Sequence, residues 1–150
     1  MTTKLYASTQ NLTIEKLKTI NRNAGFLTDP TVLNGFLVHH AADLLKGKGG
    51  KNFPALTVQY FKDVNKQQQG SLDSICNRTV QIFGAVSADC PDSVNEKLDD
   101  LLFDVKCAIC NTDSNLMITE VDYSLPENND PYAILRVTAT IKVTEKIGTI

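Results

Sequence analysis

Hydrophobic residues recur at helical spacing between Pro91 and Asn111, and this is the strongest periodic signal in the chain. Six of them share one face of the predicted helix: Val94, Leu98, Leu101, Leu102, Val105 and Ile109. The same period of 3.6 residues places Phe103, Cys107 and Cys110 on the opposite side. The pattern therefore predicts an amphipathic helix with one face for the core and a second, smaller apolar seam that needs another partner.

Alternation of apolar and polar residues predicts four strands. They are FPALTVQYFKDV from residue 53, ICNRTVQIFGAVSA from residue 75, MITEVDYSL from residue 117 and YAILRVTATIKVTEK from residue 132. The third strand is expected to turn Thr119, Val121 and Tyr123 to one side. The polar stretch from Lys62 to Asp73 is expected to be a long hairpin loop.

A further helix is predicted after Asp29 and Pro30, which suit a helix beginning, and before a glycine-rich stretch at 47–50. Its apolar stripe is expected to hold five residues: Leu33, Phe36, Leu37, Ala41 and Leu44. Residues 1–29 are expected to be an N-terminal arm or a short helix with four apolar positions: Leu12, Ile14, Leu17 and Ile20.

The order of helix, hairpin, helix and hairpin favours antiparallel pairing with the helices on one side of the sheet. The expected fold class is α+β, a two-layer sandwich of four mainly antiparallel strands with two main helices on one face. Residues 30–150 are expected to form this single domain.

Composition narrows the function without identifying it. The chain has 150 residues, of which 42% are hydrophobic and 21% are charged, with a net charge of −2. This charge gives no electrostatic reason to expect nucleic-acid recognition, because phosphate binding depends on clustered Lys and Arg. No apolar run is long enough for a membrane span, and the N-terminus has no signal-peptide pattern. The chain is therefore expected to stay in the cytosol with its four cysteines reduced.

None of the candidate chemical motifs has a convincing context. Cys107 and Cys110 lie at a helix C-terminus, where the helix dipole disfavours a thiolate. A zinc site with Cys76 and Cys90 lacks the usual close pairs of ligands. GKGGK at 47–51 leaves a helix and is not followed by Ser or Thr, so it is not a phosphate loop.

The remaining polar candidates also have ordinary interpretations. His39 and His40 have no partner motif, and His40 is expected at the boundary of the core. Asp99, Asp100 and Asp104 are expected on the solvent-facing side of the central helix. No catalytic residue, cofactor or metal is predicted, and an interaction protein is favoured over an enzyme.

The order and length of the elements resemble those of the tail-terminator proteins of long-tailed bacteriophages and prophages. The resemblance covers about residues 30–145 and is carried by FPALTVQY, KDVNKQQQGSLD, RTVQIFGAV, NEKLDDLLFDVKCAI and the final hairpin ITEVDYSLPENNDPYAILRVTATIKV. It implies a virion protein without an active site. Such a protein forms a hexameric ring at the head-proximal end of the tail, caps the tail tube and contacts a head completion or connector protein. The long N-terminal segment and the four cysteines depart from the expected pattern.

A ring built by rotation needs two different contact patches on each subunit. The residues expected to contact a neighbouring subunit or the tube are Lys62, Lys66, Gln67, Gln68, Gln69, Phe103, Cys107 and Cys110. Other tail-completion or head–tail joining proteins remain an alternative. So does a small cytosolic binding module, in which residues 1–29 would cover Phe103 and the cysteines. A small enzyme using His39 or His40 is the third class of hypothesis.

Overall fold

A computed structural model of the chain describes residues 9–40, 53–66, 73–110, 116–124 and 131–146. The described residues form two α-helices and a mixed five-stranded sheet. The helices are α1, Thr9–Leu17, and α2, Val94–Cys110. The strands are β1, Thr31–Val32; β2, Ala55–Lys66; β3, Asp73–Ser87; β4, Met117–Ser124; and β5, Tyr132–Lys146.

The sheet has the strand order β1-β2-β3-β5-β4. β1 pairs with β2 in parallel, and the other neighbours pair antiparallel. The α+β class is thus confirmed. The expectation of four strands is wrong, because the short β1 adds a fifth strand and makes the sheet mixed.

Both helices pack on one face of the sheet. The main core joins Ile14 and Leu17 of α1 to the predicted stripe of α2 and to alternating residues of the three long strands. All six residues of that stripe are buried, so the prediction for α2 is confirmed. A short 3-10 turn, Pro91–Ser93, leads into the helix.

Gly84 on β3 allows α2 to approach the sheet closely. A Cβ atom added there would lie 2.8 Å from Cδ2 of Leu101 and 3.2 Å from Cδ2 of Leu56. Both leucines are fully buried, so neither has free space to move into. A glycine at this position therefore fits the helix to the sheet.

The helix predicted from Pro30 is absent from the described residues. The amides of Thr31 and Leu33 donate to the carbonyls of Pro54 and Leu56, at 2.9 and 2.8 Å, so the backbone pairs with β2. Gly35 then has a φ of 87°, which a right-handed helix does not accommodate. A 3-10 turn, Leu37–His40, follows at the end of this described range. The predicted stripe residues Ala41 and Leu44 lie outside the described residues.

The segment after β1 covers part of the second sheet face instead. Leu37 is buried there with Ala55 and Ala85, and Leu33 packs against this small cluster. Phe36, which was also predicted for the buried stripe, is 49% exposed. The apolar residues after Pro30 therefore serve a second, minor core.

The N-terminal segment contains the short helix that was one of its two predicted forms. Ile14, Leu17 and Ile20 are buried in the main core, whereas Leu12 is 42% exposed. The chain then turns at a 3-10 helix, Arg22–Ala24, which Asn21 caps by accepting from the Ala24 amide at 2.8 Å.

Asp104 corrects the predicted solvent-facing acidic cluster. Its side chain is buried and accepts from the amides of Leu27 and Thr28, at 3.0 and 2.8 Å, and from the Thr28 hydroxyl. The carboxylate thus fastens the segment after α1 to the side of α2. Asp99 is exposed as expected, and Asp100 is partly exposed.

A register shift in β4 corrects the predicted alternation of that strand. The pairing with β5 slips between Ile118 and Glu120, so Thr119 is an extra residue. Ile118 and Val121 both pack against the core, and Thr119 is exposed. Such a bulge changes which residues share a face, and period-2 reasoning cannot foresee it.

We predict that Asp104→Ala lowers the free energy of unfolding by about 2–4 kcal/mol, because it leaves the buried Thr28 amide and the partly buried Leu27 amide without their acceptor. Chemical denaturation measures this. Asp99→Ala, on the exposed surface of the same helix, is the matched control and should change stability by less than about 0.5 kcal/mol. Equal, small effects of both substitutions would contradict the anchoring role of Asp104.

Candidate functional site

The described residues present two exposed surfaces at opposite edges of the sheet. The first, called here the β2-edge surface, consists of Tyr60, Phe61, Lys62 and Val64. The second, called the α2–β4 surface, consists of Phe103, Cys107, Cys110, Met117 and Glu120. Each contains large apolar side chains that remain largely in solvent, a feature that often marks a contact surface.

The β2-edge surface begins after Val58, where other segments of the chain stop hydrogen-bonding to the outer side of β2. Leu33 donates to the Leu56 carbonyl, and the side-chain amide of Gln10 donates to the Val58 carbonyl at 3.0 Å. Among the described residues, no strand pairs with the outer side of β2 beyond Leu56. Phe61 and Val64 are 55% and 53% exposed on this stretch.

Local contacts order the residues of the β2-edge surface. The pairing of β2 with β3 shifts between Tyr60 and Lys62, so Phe61 is an extra residue in the strand. The Lys62 ammonium lies 5.8 Å from the centre of the Phe61 ring. Arg78 stacks on Tyr60 at 5.2 Å and pairs with Asp63, with both hydrogen bonds at 3.0 Å. These contacts hold the edge in an extended form.

The structure corrects the predicted loop in this region. Lys62 and Lys66 belong to β2, and the connection to β3 is therefore confined to 67–72. The predicted contact residues Gln67, Gln68 and Gln69 lie outside the described residues, as does the side chain of Lys66. Lys62 is the predicted contact residue of this region that the structure places, and it is exposed.

The α2–β4 surface combines the outer side of α2 with the last strand of the sheet. Phe103 is 57% exposed, Cys107 is partly exposed and Cys110 is exposed. Cys110 and Lys106 line one wall of an open cleft of about 500 Å³, and Leu116–Val121 line the other wall. Met117 is 65% exposed at this edge. Sequence reasoning found the helix side of this surface and missed the strand side.

An ion pair sets the charge of the β4 edge. Asp122 accepts from Nη2 and Nε of Arg136 at 2.7 and 3.2 Å. The hydrogen bond and charge of Asp122 raise the pKa of Arg136, and Glu120 adds a smaller contribution in the same direction. Two carboxylates thus act on one guanidinium at this edge, and Glu120 is itself exposed. The exposed Lys106 lies on the opposite wall of the cleft.

The other sequence candidates show no arrangement for chemistry in the described part of the chain. Nε2 of His40 is hydrogen-bonded to the Asn34 carbonyl in an exposed position, and the His40 side chain is partly buried. The side chain of His39 lies outside the description. Of the two cysteines considered for a zinc site with Cys107 and Cys110, Cys76 is buried and Cys90 is exposed. Within the described ranges, no three His, Cys, Asp or Glu side chains are grouped closely enough to hold a metal ion.

The comparisons with known proteins add no assignment. No protein-family model matches the chain, and no curated protein matches it significantly. None of the helices in the described ranges is both long and apolar enough to span a membrane.

We predict that Phe103→Ala leaves the free energy of unfolding of the isolated chain within about 0.5 kcal/mol, because the ring is mostly in solvent. The neighbouring Leu102→Ala should lower it by about 2–4 kcal/mol, since Leu102 is 7% exposed in the core. Thermal and chemical unfolding of both variants at low protein concentration give the comparison. A large loss of stability for Phe103→Ala would mean that the ring supports the fold.

Proposed function

We propose that this protein is a ring-forming structural subunit of a phage tail, a tail terminator that caps the tail tube and provides the surface to which a head completion or connector protein attaches. The proposal rests on the resemblance in element order together with one structural observation. That observation is the presence of two different exposed surfaces at opposite edges of one sheet.

The position of the two surfaces favours head-to-tail assembly. In a cyclic ring, each subunit contacts its neighbours through two unlike patches, whereas a two-fold dimer uses one patch twice. The β2-edge surface contains Lys62 and the α2–β4 surface contains Glu120, so the two carry opposite exposed charges. Because they lie on opposite sides of the subunit, one copy can contact two others at once.

The exposure of Phe103 supports this proposal over a binding module that buries its seam internally. In that alternative, the N-terminal segment would cover the outer side of α2. Phe103 is 57% exposed while residues 9–29 pack beside it, and Leu27 of that segment is itself 48% exposed. Among the described residues, the N-terminal segment therefore leaves the Phe103 ring open to another chain.

The connection between β2 and β3 is proposed to contact the tail tube or a neighbouring subunit. β2 and β3 are 12 and 15 residues long, and their pairing runs to Lys66 and Ile75, past the register position of Met117. The β2–β3 hairpin, accompanied by β5 to Lys146, extends beyond β4 and is suited to reach another protein. The glutamines at 67–69 would then lie at the contact.

We expect the purified protein to limit the growth of purified tail tubes and to appear as a ring at one tube end in electron micrographs. Measuring tube length against protein concentration tests the capping activity. Tubes that keep growing from both ends at a saturating concentration of the protein would contradict the proposed function.

A separate variant tests the hairpin connection. Replacing Gln67–Gln69 with Gly-Ser residues should impair tube capping or ring assembly and should leave the unfolding temperature within about 2 °C, because the change is confined to a connection between strands. The same three-residue replacement at Asn128–Asp130, in the connection between β4 and β5, is the control. If both variants cap tubes as well as the original chain does, the β2–β3 connection has no part in assembly.

A further inference from the structure

We propose that neighbouring copies of this chain join edge to edge, with the outer part of β2 of one copy paired antiparallel to β4 of the next, and with Lys62 placed against Glu120. This inference rests on the proposed function, since it identifies how the ring subunits meet. In this arrangement the sheets of adjacent subunits join into one continuous sheet.

Strand direction is compatible with this arrangement. β2 runs antiparallel to β3, β3 antiparallel to β5, and β5 antiparallel to β4, so β2 and β4 of one copy run in opposite directions. A second copy in the same orientation, placed beside the first, brings its β2 antiparallel to the first copy's β4. Antiparallel addition of a strand satisfies backbone groups at an open edge.

The lengths of the two open edges also agree. β4 has eight residues, Met117–Ser124, and pairs with β5 alone in the described part of the chain. The open part of β2 runs from Tyr60 to Lys66, because Gln10 already covers the Val58 carbonyl. Each edge is long enough for a typical strand pairing.

On the sheet face away from the helices, the side chains of β2 and β4 have complementary properties in the order that antiparallel pairing requires. Lys62 lies opposite Thr79 and Glu120 lies opposite Thr138, and neither threonine belongs to the helix-covered core. The next positions on this face are Val64 along β2 and, past the bulge at Thr119, Met117 along β4. An antiparallel pairing that sets Lys62 against Glu120 therefore also sets Val64 against Met117, so a charge meets its opposite and an apolar group meets an apolar group.

Pairing of like edges is disfavoured by charge. A two-fold contact between two copies of β4 brings the Glu120 side chains and their Asp122 neighbours together, with one Arg136 in each copy to balance two carboxylates. A two-fold contact of two β2 edges brings the Lys62 side chains together. The edge lysine Lys62 and the bulge at Phe61 also disfavour non-specific strand pairing at the β2 edge. Opposite charges on unlike edges thus select the head-to-tail contact.

Charge reversal on each edge tests this contact in the full chain. In Glu120→Lys, lysines face each other across every contact, and in Lys62→Glu, glutamates do. Each single variant should need at least about a tenfold higher concentration to assemble at low salt, measured by sedimentation velocity. The double variant, with the charges exchanged, should assemble like the original chain.

Mixing the two single variants gives a sharper result. In an alternating arrangement of Lys62→Glu and Glu120→Lys copies, every contact pairs a lysine with a glutamate. The original lysine–glutamate pair alternates with the introduced glutamate against the introduced lysine, so we expect mixed assemblies to grow as those of the original chain do. A one-to-one mixture should therefore associate at concentrations where neither component does alone. Glu96→Lys on the exposed first turn of α2, about 15 Å along the helix from Lys106, is the matched control and should assemble normally.

The outcomes separate this inference from the proposed function. If the original chain forms rings and both single variants form them equally well, the edge contact is wrong and the ring proposal stands. If the variants complement each other but the assembled original chain does not cap tubes, the edge contact stands and the tail-terminator function is wrong. An original chain that stays monomeric at every concentration and salt contradicts the edge contact.

Discussion

The close packing of α2 against the middle of the sheet is the constraint on which the rest of the structure depends. Gly84 gives the helix room to approach, and Leu101 fills the space above it. Once α2 is fixed, α1 shares the same face, and Asp104 binds the segment that follows α1. The outer side of α2 then has no further element of the described chain to cover Phe103.

Within the described residues, this arrangement leaves both sheet edges exposed for assembly. The helices occupy one face, and the segment around Leu37 covers part of the other. One edge exposes Lys62 and the opposite edge exposes Glu120, and each also exposes apolar side chains. A subunit with unlike edges can add further copies in one direction, and rotation between copies closes the chain of subunits into a ring. The proposed head-to-tail assembly is compatible with how the core is filled.

Sequence patterns predicted the parts of the fold that depend on one regular period. The stripe on α2 and the alternation in β5 are such cases, and so is the outward position of Phe103. Prediction failed where a distant partner decides the structure. The residues after Pro30 have helix-like spacing, yet their amides pair with β2, and Asp104 is buried by a segment 76 residues away. The positions of Lys62 and Glu120 toward opposite edges of the sheet could not be predicted, because they depend on the strand order.

Absolute mass in solution, measured by light scattering across a range of protein concentrations and salt concentrations, tests the central claim most directly. The account predicts a closed species of discrete mass, about six times the 16.5 kDa of one chain for a hexamer, that becomes less populated as salt screens the edge charges. A mass equal to one chain under all of these conditions, or a dimer that does not grow further, would contradict head-to-tail assembly.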